Sequence, residues 1–289
     1  MALRIIKDRL DRFARRLRNV RNRVYMYRYL ASGAKHDGLA LRHPELVGSD
    51  LTCVIAFEQA WAIELLLELW ALHVPDARIL VCDNSNHADA RHAIRAVCDR
   101  YGVPYVGLPP NTRRHVNRSH AQAMQYVHDR ILPALQPRTF GFLDHDCIPF
   151  RRYELAKRVG SQLAYGIYCP GDRIGGVQYW YLWAGFLFFD YQATRRFGLD
   201  FLYDFSKNLD TAGMNYHALY RHVDPAQSRF ADRQWRPCTV PGAGQERLQI
   251  IDDAWWHIGG IGYKGDHTAD RALLDAILAR IRAGEPFYA

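Results

Sequence analysis

Between residues 51 and 146 short apolar runs alternate with longer periodic ones. "LTCVIAF" (51–57), "ARILVCDNS" (77–85), "VPYVGLP" (103–109) and "TFGFLDHD" (139–146) are nearly continuous and rich in β-branched or aromatic residues, the mark of buried strands. "QAWAIELLLELWALHV", "ADARHAIRAVCDRYG" and "RSHAQAMQYVHDRILPAL" lie between them and are long and periodic enough for helices. Strands alternating with helices imply an α/β domain with a largely parallel, doubly wound sheet. In such sheets ligands bind beyond the carboxyl ends of the strands. Three of the runs finish there on acids: Glu58, Asp83, and Asp144 with Asp146.

After about residue 150 the alternation weakens and aromatic density rises, in "YGIYCP", "VQYWYLWAGFLFFD" and "DAWWHIGG". This half is expected to complete the sheet with mixed strands and to build a second binding surface. Ahead of the domain, Leu3, Ile6, Leu10, Phe13, Leu17, Val20, Val24 and Tyr27 alternate by three and four, a helical stripe of about four heptads. The polar stretch 32–50 reads as a lead-in linker. The chain thus divides into a helical arm (1–31), a linker (32–50) and a domain (51–289) with halves 51–150 and 151–289.

Charge changes the picture of the arm. Residues 1–30 hold ten Lys/Arg against two Asp, which accounts for the whole net charge of +8, and the rest of the chain balances twenty-eight of each sign. A homodimeric coiled coil would set Lys7, Arg9, Arg16, Arg21 and Arg23 against their own copies; a helix packed on the domain is another outcome. An anionic membrane surface fits better, since it attracts the basic residues while Leu, Ile and Phe embed at the interface. The balanced domain offers nucleic acid no electrostatic footprint, and none is expected as a partner. No run of eighteen apolar residues occurs, and the N-terminus lacks the apolar core and cleavage site of a signal peptide. The expected location is therefore cytoplasmic, peripheral at the inner face of the membrane, with the arm dispensable for turnover. The six cysteines form no CxxC pair and read as reduced core residues.

Candidate chemistry concentrates in "FGFLDHDCIPF" (140–150). Asp144 and Asp146 at a strand end raise the cost of ionising one another, and a hard divalent cation that takes oxygen ligands would remove it. An isolated pair of this kind also serves as a turn in which Asp caps backbone amides.

With "VIAFEQ", "VCDNSN", "RSHAQAM", "FLDHDCIP", "LDTAGMNYHAL" and "WWHIGG" in place, the chain resembles the GT-A-fold glycosyltransferases, in particular the inverting family 2, over roughly residues 50–260. The resemblance implies a Rossmann-like nucleotide-binding half on a mixed central sheet, which holds a nucleoside diphosphate sugar donor through Phe57, Glu58, Asp83, His120 and Asp144. It implies Mn²⁺ or Mg²⁺ held by Asp144 and Asp146, with His257 either a further ligand or a packed, hydrogen-bonded residue. Asp210 becomes the base that activates an acceptor hydroxyl, or else the N-cap of the following helix, with Asp204 and Asp190 as substitutes. The acceptor would be a saccharide, free or lipid-linked, stacked on Tyr179, Trp180 and Trp183 and approaching the backbone at Gly185. Where many members carry a Gly-containing "SHG" turn, this chain has Ser119, His120 and Ala121. It also lacks the QxxRW motif of processive synthases, so single additions are expected. A sugar nucleotidyltransferase would require a Gly-rich first loop, absent from "VIAFEQAW"; a non-enzymatic adaptor acting through the arm remains a separate reading.

Overall fold

The computed structural model describes residues 2–33, 36, 38–111, 115–240, 244–261 and 268–288. The first four strands are β1 (Asp50–Ala56), β2 (Arg78–Asp83), β3 (Tyr105–Gly107) and β4 (Thr139–Asp144). They are followed by β5 (Cys147–Pro149), β6 (Ala164–Ile174) and β7 (Val177–Asp190). The central sheet has the order β3-β2-β1-β4-β7-β6, parallel through the first four and antiparallel across β4–β7 and β7–β6. This is a mixed sheet with a doubly wound, parallel first half.

Every residue of β1 is buried, as expected of a strand covered on both faces. On one face Val54, Ala56 and Val81 meet α3 (Ala60–His73) and α4 (Ala88–Tyr101), which follow the arm helix α1 (Ala2–Ala31) and the short α2 (Leu39–Arg42). On the other, Cys53, Ile55 and Cys82 meet α5 (Val116–Tyr126). From α3 alone Ile63, Leu65, Leu66, Leu67, Leu69 and Trp70 are buried, each contributing about 1.5–3 kcal/mol of transfer free energy. The periodicity of 118–135 predicts one helix, but α5 gives way to a π-helical turn at Val127–Ile131 before a last turn Leu132–Leu135. Pro133 has no N–H to continue the α-helical ladder there.

The region 32–50 is not a free linker. Its α2 and a 3₁₀ turn bury Leu39 and Leu46 at 1% exposure against the sheet's second face. All six cysteines are free and buried, and among the described residues no helix is long and apolar enough to cross a membrane.

The second half adds a separate four-stranded antiparallel sheet of β5 with β8 (Arg233–Val240), β9 (Gly244–Ile251) and β10 (Trp255–His257), in the order β5-β10-β9-β8. β5 begins directly after Asp146, and its pairing with β10 puts His257 opposite Cys147. β6 and β7 form a long hairpin whose two-residue turn, Gly175-Gly176, has φ of 59° and 82°. Glycine is the residue that takes both values without strain.

Candidate active site

A cavity of about 490 Å³ opens at the carboxyl ends of β1 and β4, within the range of small-molecule sites. Register fixes its floor: Ile55 of β1 lies level with Asp144 of β4, and both line it. Asp146 and His257 come from the junction with the second sheet, His120 and Asn117 from α5, and Asp210 from the loop after β7.

The acids and imidazoles are interlocked. His257 Nε2 stands 3.5 Å from Asp146 Oδ1, and His120 Nε2 stands 3.5 Å from Asp144 Oδ1. His257 Nδ1 bonds to the side-chain oxygen of Gln249 across the β9–β10 pair, so Nε2 is the nitrogen turned to Asp146. Ile258 N donates to the Asp146 carbonyl at 3.0 Å, which pins the two segments together. Burial raises the Asp144 carboxyl, with the Asp146 charge adding to the effect against His120. Burial also opposes ionisation of Asp146, yet the charge and hydrogen bond of His257 outweigh it and hold that carboxyl down at about 2. His257 is correspondingly raised: desolvation lowers it, and the two aspartates more than compensate.

Asp146, Cys147 and His257 bring ligand atoms within 4.8 Å of one another. Cys147 is unsuited, because burial raises its thiol far above the ordinary range and Sγ is directed to the Gly185 carbonyl at 3.5 Å. Asp146 and His257 remain, and Asp144, which lines the same cavity and feels the charge of both, adds a second carboxylate. That donor set suits Mn²⁺, or Mg²⁺ with fewer nitrogen contacts. The Nε2 atoms of His120 and His145 are buried without a hydrogen bond, polar atoms that a bound ion or anion would satisfy. The residues present therefore fit a divalent metal.

Asp210 Oδ1 accepts from Thr211 N at 2.8 Å and from the Asn117 side-chain amide. The helix expected right behind it is a four-residue turn, Asn215–Ala218, capped at Met214. Asp210 is thus not its N-cap, because the turn at 211–214 intervenes. The two substitute bases lie elsewhere. Asp190 pairs with Thr139 at the opposite end of β4 and caps Tyr191–Thr194 through Ala193 N at 2.8 Å. Asp204 is 2% exposed and held by Ser206, Lys207 and His217.

Several expected contacts are not at the cavity. Asp83 is fully buried, one oxygen accepting from the Tyr105 hydroxyl at 2.7 Å and the other from Ser85 N at 2.8 Å. The next residues, Asn84 and Asn86, line the wall in its place. Phe57 also lines it, but Glu58, at φ 59°, turns to the β2–α4 loop and accepts from Asn86 N at 2.6 Å and from His87. Glu58 is a clamp on that loop. Of the aromatic set, Trp183 reaches the cavity and lies 4.6 Å from His257. Trp180 points to the opposite face of β7, 4% exposed and stacked on Tyr220 at 4.8 Å. Tyr179 packs on Tyr216 at 4.6 Å, with the Lys207 ammonium 5.4 Å over its ring. Gly185 sits beside Asp144, so close that a Cβ there would collide with Oδ2 and with the Trp183 ring. Asn84, Asn86, Asn117, His145 and Gln249 carry no signal in periodicity; only their adjacency to "VCD", "RSHAQ" and "LDHD", or pairing across β9–β10, marks them.

No family model and no curated protein matches the chain. Among solved structures it is similar to the mannosyltransferase PcManGT from Pyrobaculum calidifontis in complex with GDP-Man and Mn²⁺, at 14% identity and TM-score 0.38 over 61% of this chain and 54% of that one. It is similar to the apo bifunctional glycosyltransferase WbbM, at 12% identity and TM-score 0.36 over 52% and 32%. A third is the galactosyltransferase LgtC in complex with donor and acceptor sugar analogues, at 17% identity and TM-score 0.33 over 50% and 59%. The chain spans about a third to somewhat over half of the length of these neighbours.

Proposed function

We propose that this chain is a metal-dependent glycosyltransferase of the GT-A type, which moves one sugar from a nucleoside diphosphate donor to a saccharide hydroxyl with inversion. The observation that carries this reading is one cavity, at the carboxyl ends of parallel strands, lined both by Asp144, Asp146 and His257 and by Asp210. Asp144, Asp146 and His257 would hold Mn²⁺ or Mg²⁺ against the donor's diphosphate, and the imidazole favours Mn²⁺. When bound, the ion supplies Lewis-acid neutralisation of the charge that builds on the departing diphosphate.

The chain's own groups do the rest. Asn117 and Thr211 occupy Asp210 Oδ1, which orients the carboxylate and leaves Oδ2 for the acceptor. As the acceptor oxygen attacks the anomeric carbon, its proton passes to Asp210 and the bond from that carbon to the diphosphate oxygen breaks. Trp183 offers an aromatic face to a sugar ring near His257, and Phe57, Asn84 and Asn86 face the nucleoside. The half-enclosed cavity limits water as a competing acceptor.

The test is thermal stabilisation by UDP, GDP, dTDP and CMP with and without Mn²⁺, followed by release of nucleoside diphosphate from the matching donor and a saccharide. A ligand bound only by the folded state raises its stability. Stabilisation by at least one nucleotide, dependent on Mn²⁺ and lost in Asp146→Asn, is expected. No stabilisation by any of them, or an Asp146→Asn variant with near wild-type turnover across a Mn²⁺ titration, would defeat the reading.

A further inference from the structure

The described part of the arm's apolar stripe, from Leu17 to Tyr27, does not face the domain. Among the described side chains of α1, those of Asn22, Met26 and Tyr29 are buried, at 1%, 6% and 6% exposure. They are seated on α5 and on the segment before it. Arg118 Nε donates to Asn22 Oδ1 at 2.9 Å, Gln122 Nε2 donates to the Tyr25 carbonyl at 2.9 Å, and the Tyr29 hydroxyl donates to the Pro109 carbonyl at 3.2 Å. Arg23 pairs with Asp200 at 2.9 Å. At 3.6 residues per turn, Leu17, Val20, Val24 and Tyr27 fall on the opposite side of the helix, and they are 54%, 61%, 43% and 68% exposed. The same spacing in the sequence leads back to Phe13, Leu10, Ile6 and Leu3, whose side chains lie outside the described residues. The four exposed apolar side chains, on a helix already fixed by its other side, mark an interaction surface.

Charge decides what covers it. Arg21 and Arg28 are exposed beside the line, and the arm holds all of the chain's net charge. The core of a protein interface is depleted in charge, and a second copy of α1 would bring the same arginines against one another. An anionic bilayer satisfies both parts: Leu and Val enter at the acyl boundary, Tyr sits at headgroup level, and guanidinium groups pair with lipid phosphates and carboxylates. We propose that the outward face of α1 docks on an anionic lipid bilayer while its inward face stays on α5.

This inference does not rest on the glycosyl-transfer reading, because binding to lipid is read with no donor, metal or acceptor present. Full-length protein is floated with phosphatidylcholine vesicles and with vesicles of graded phosphatidylserine content, at low and high salt. Binding should rise with phosphatidylserine and weaken as the Debye length shrinks from about 10 Å at 0.1 M to about 3 Å at 1 M. A Leu17→Glu/Val24→Glu variant should partition at least about tenfold less. An Arg21→Gln/Arg28→Gln variant, which keeps the other eight basic residues of the arm, should bind phosphatidylserine vesicles about tenfold or more weaker and with a shallower dependence on phosphatidylserine content. All four side chains are exposed, so the thermal midpoint should hardly move, and that measurement separates lost docking from lost folding. Vesicle binding indifferent to lipid charge and salt would overturn the proposal. So would a discrete dimer that the Glu substitutions dissociate while wild-type protein leaves vesicles unbound.

Discussion

At the scale of single residues, carboxylates with different partners have different tasks. Asp210→Asn keeps an Oδ1 able to accept from Asn117 and Thr211, so folding and nucleoside diphosphate affinity should hold while transfer slows by about 10²–10⁴-fold. Calorimetry beside rate measurements checks this; equal losses in both would mark a purely structural aspartate. Gly185→Ala makes the complementary case. Its Cβ would drive Asp144 from its place, and Mn²⁺ affinity should fall about 10–100-fold, as for disturbance of groups behind a metal ligand. A titration indistinguishable from wild type would mean that Asp144 does not hold the ion. The Asp144–Asp146 pair is legible in the sequence because an apolar strand runs straight into it. Asp83 shows the limit of the same logic: an acid at a strand end is also the natural partner for a neighbouring tyrosine, and Tyr105, from the adjacent strand, takes it. Spacing along one chain does not register a competitor supplied by another element.

Among elements, the first half is readable because each parallel strand is buried on both faces and each helix on one, so pattern and environment agree. The second half is not, because its strands alternate between two sheets. In β7 the tryptophans at 180 and 183 look equivalent by composition, yet strand alternation and a change of neighbours send one to the core and the other to the cavity. The turn 204–209 illustrates electrostatics that only the fold reveals. Burial would raise Asp204, but bonds from His217, Lys207 and Ser206 outweigh it and hold the carboxyl well below the usual range. A depressed folded-state pKa means stability that is present above the unfolded value, about 3.9, and lost as pH falls through the folded one. Asp204→Asn should therefore destabilise the protein by about 1–3 kcal/mol at pH 7, with the gap to wild type closing below about pH 4. Denaturant melts across that range decide it, and a constant gap would remove the ionic contribution. Asp204 also closes the turn through Leu209, at 2.8 and 3.1 Å, immediately before Asp210.

For the molecule as a whole, the arm is part of the domain's architecture. Deleting residues 1–30 would strip α5 of Asn22, Met26 and Tyr29 beside Asn117 and His120, so turnover after such a deletion would report a damaged cavity as readily as lost charge. Substitution on the outward face is the cleaner experiment. The arrangement of the small sheet has a consequence for biosynthesis. β5 leaves the ribosome directly after Asp146, yet its sheet neighbour is β10, near the end of the chain. Until β10 emerges, the second aspartate has neither the Ile258 amide on its carbonyl nor His257 beside its carboxylate. Pairing at such sequence distance is slow to form, so the nascent protein can complete its six-stranded sheet before the cavity's acidic wall exists. Chains halted near residue 250 should keep strand signals from the large sheet in hydrogen exchange but bind Mn²⁺ no more tightly than Asp146→Asn; retained affinity would show that the first half alone builds the wall.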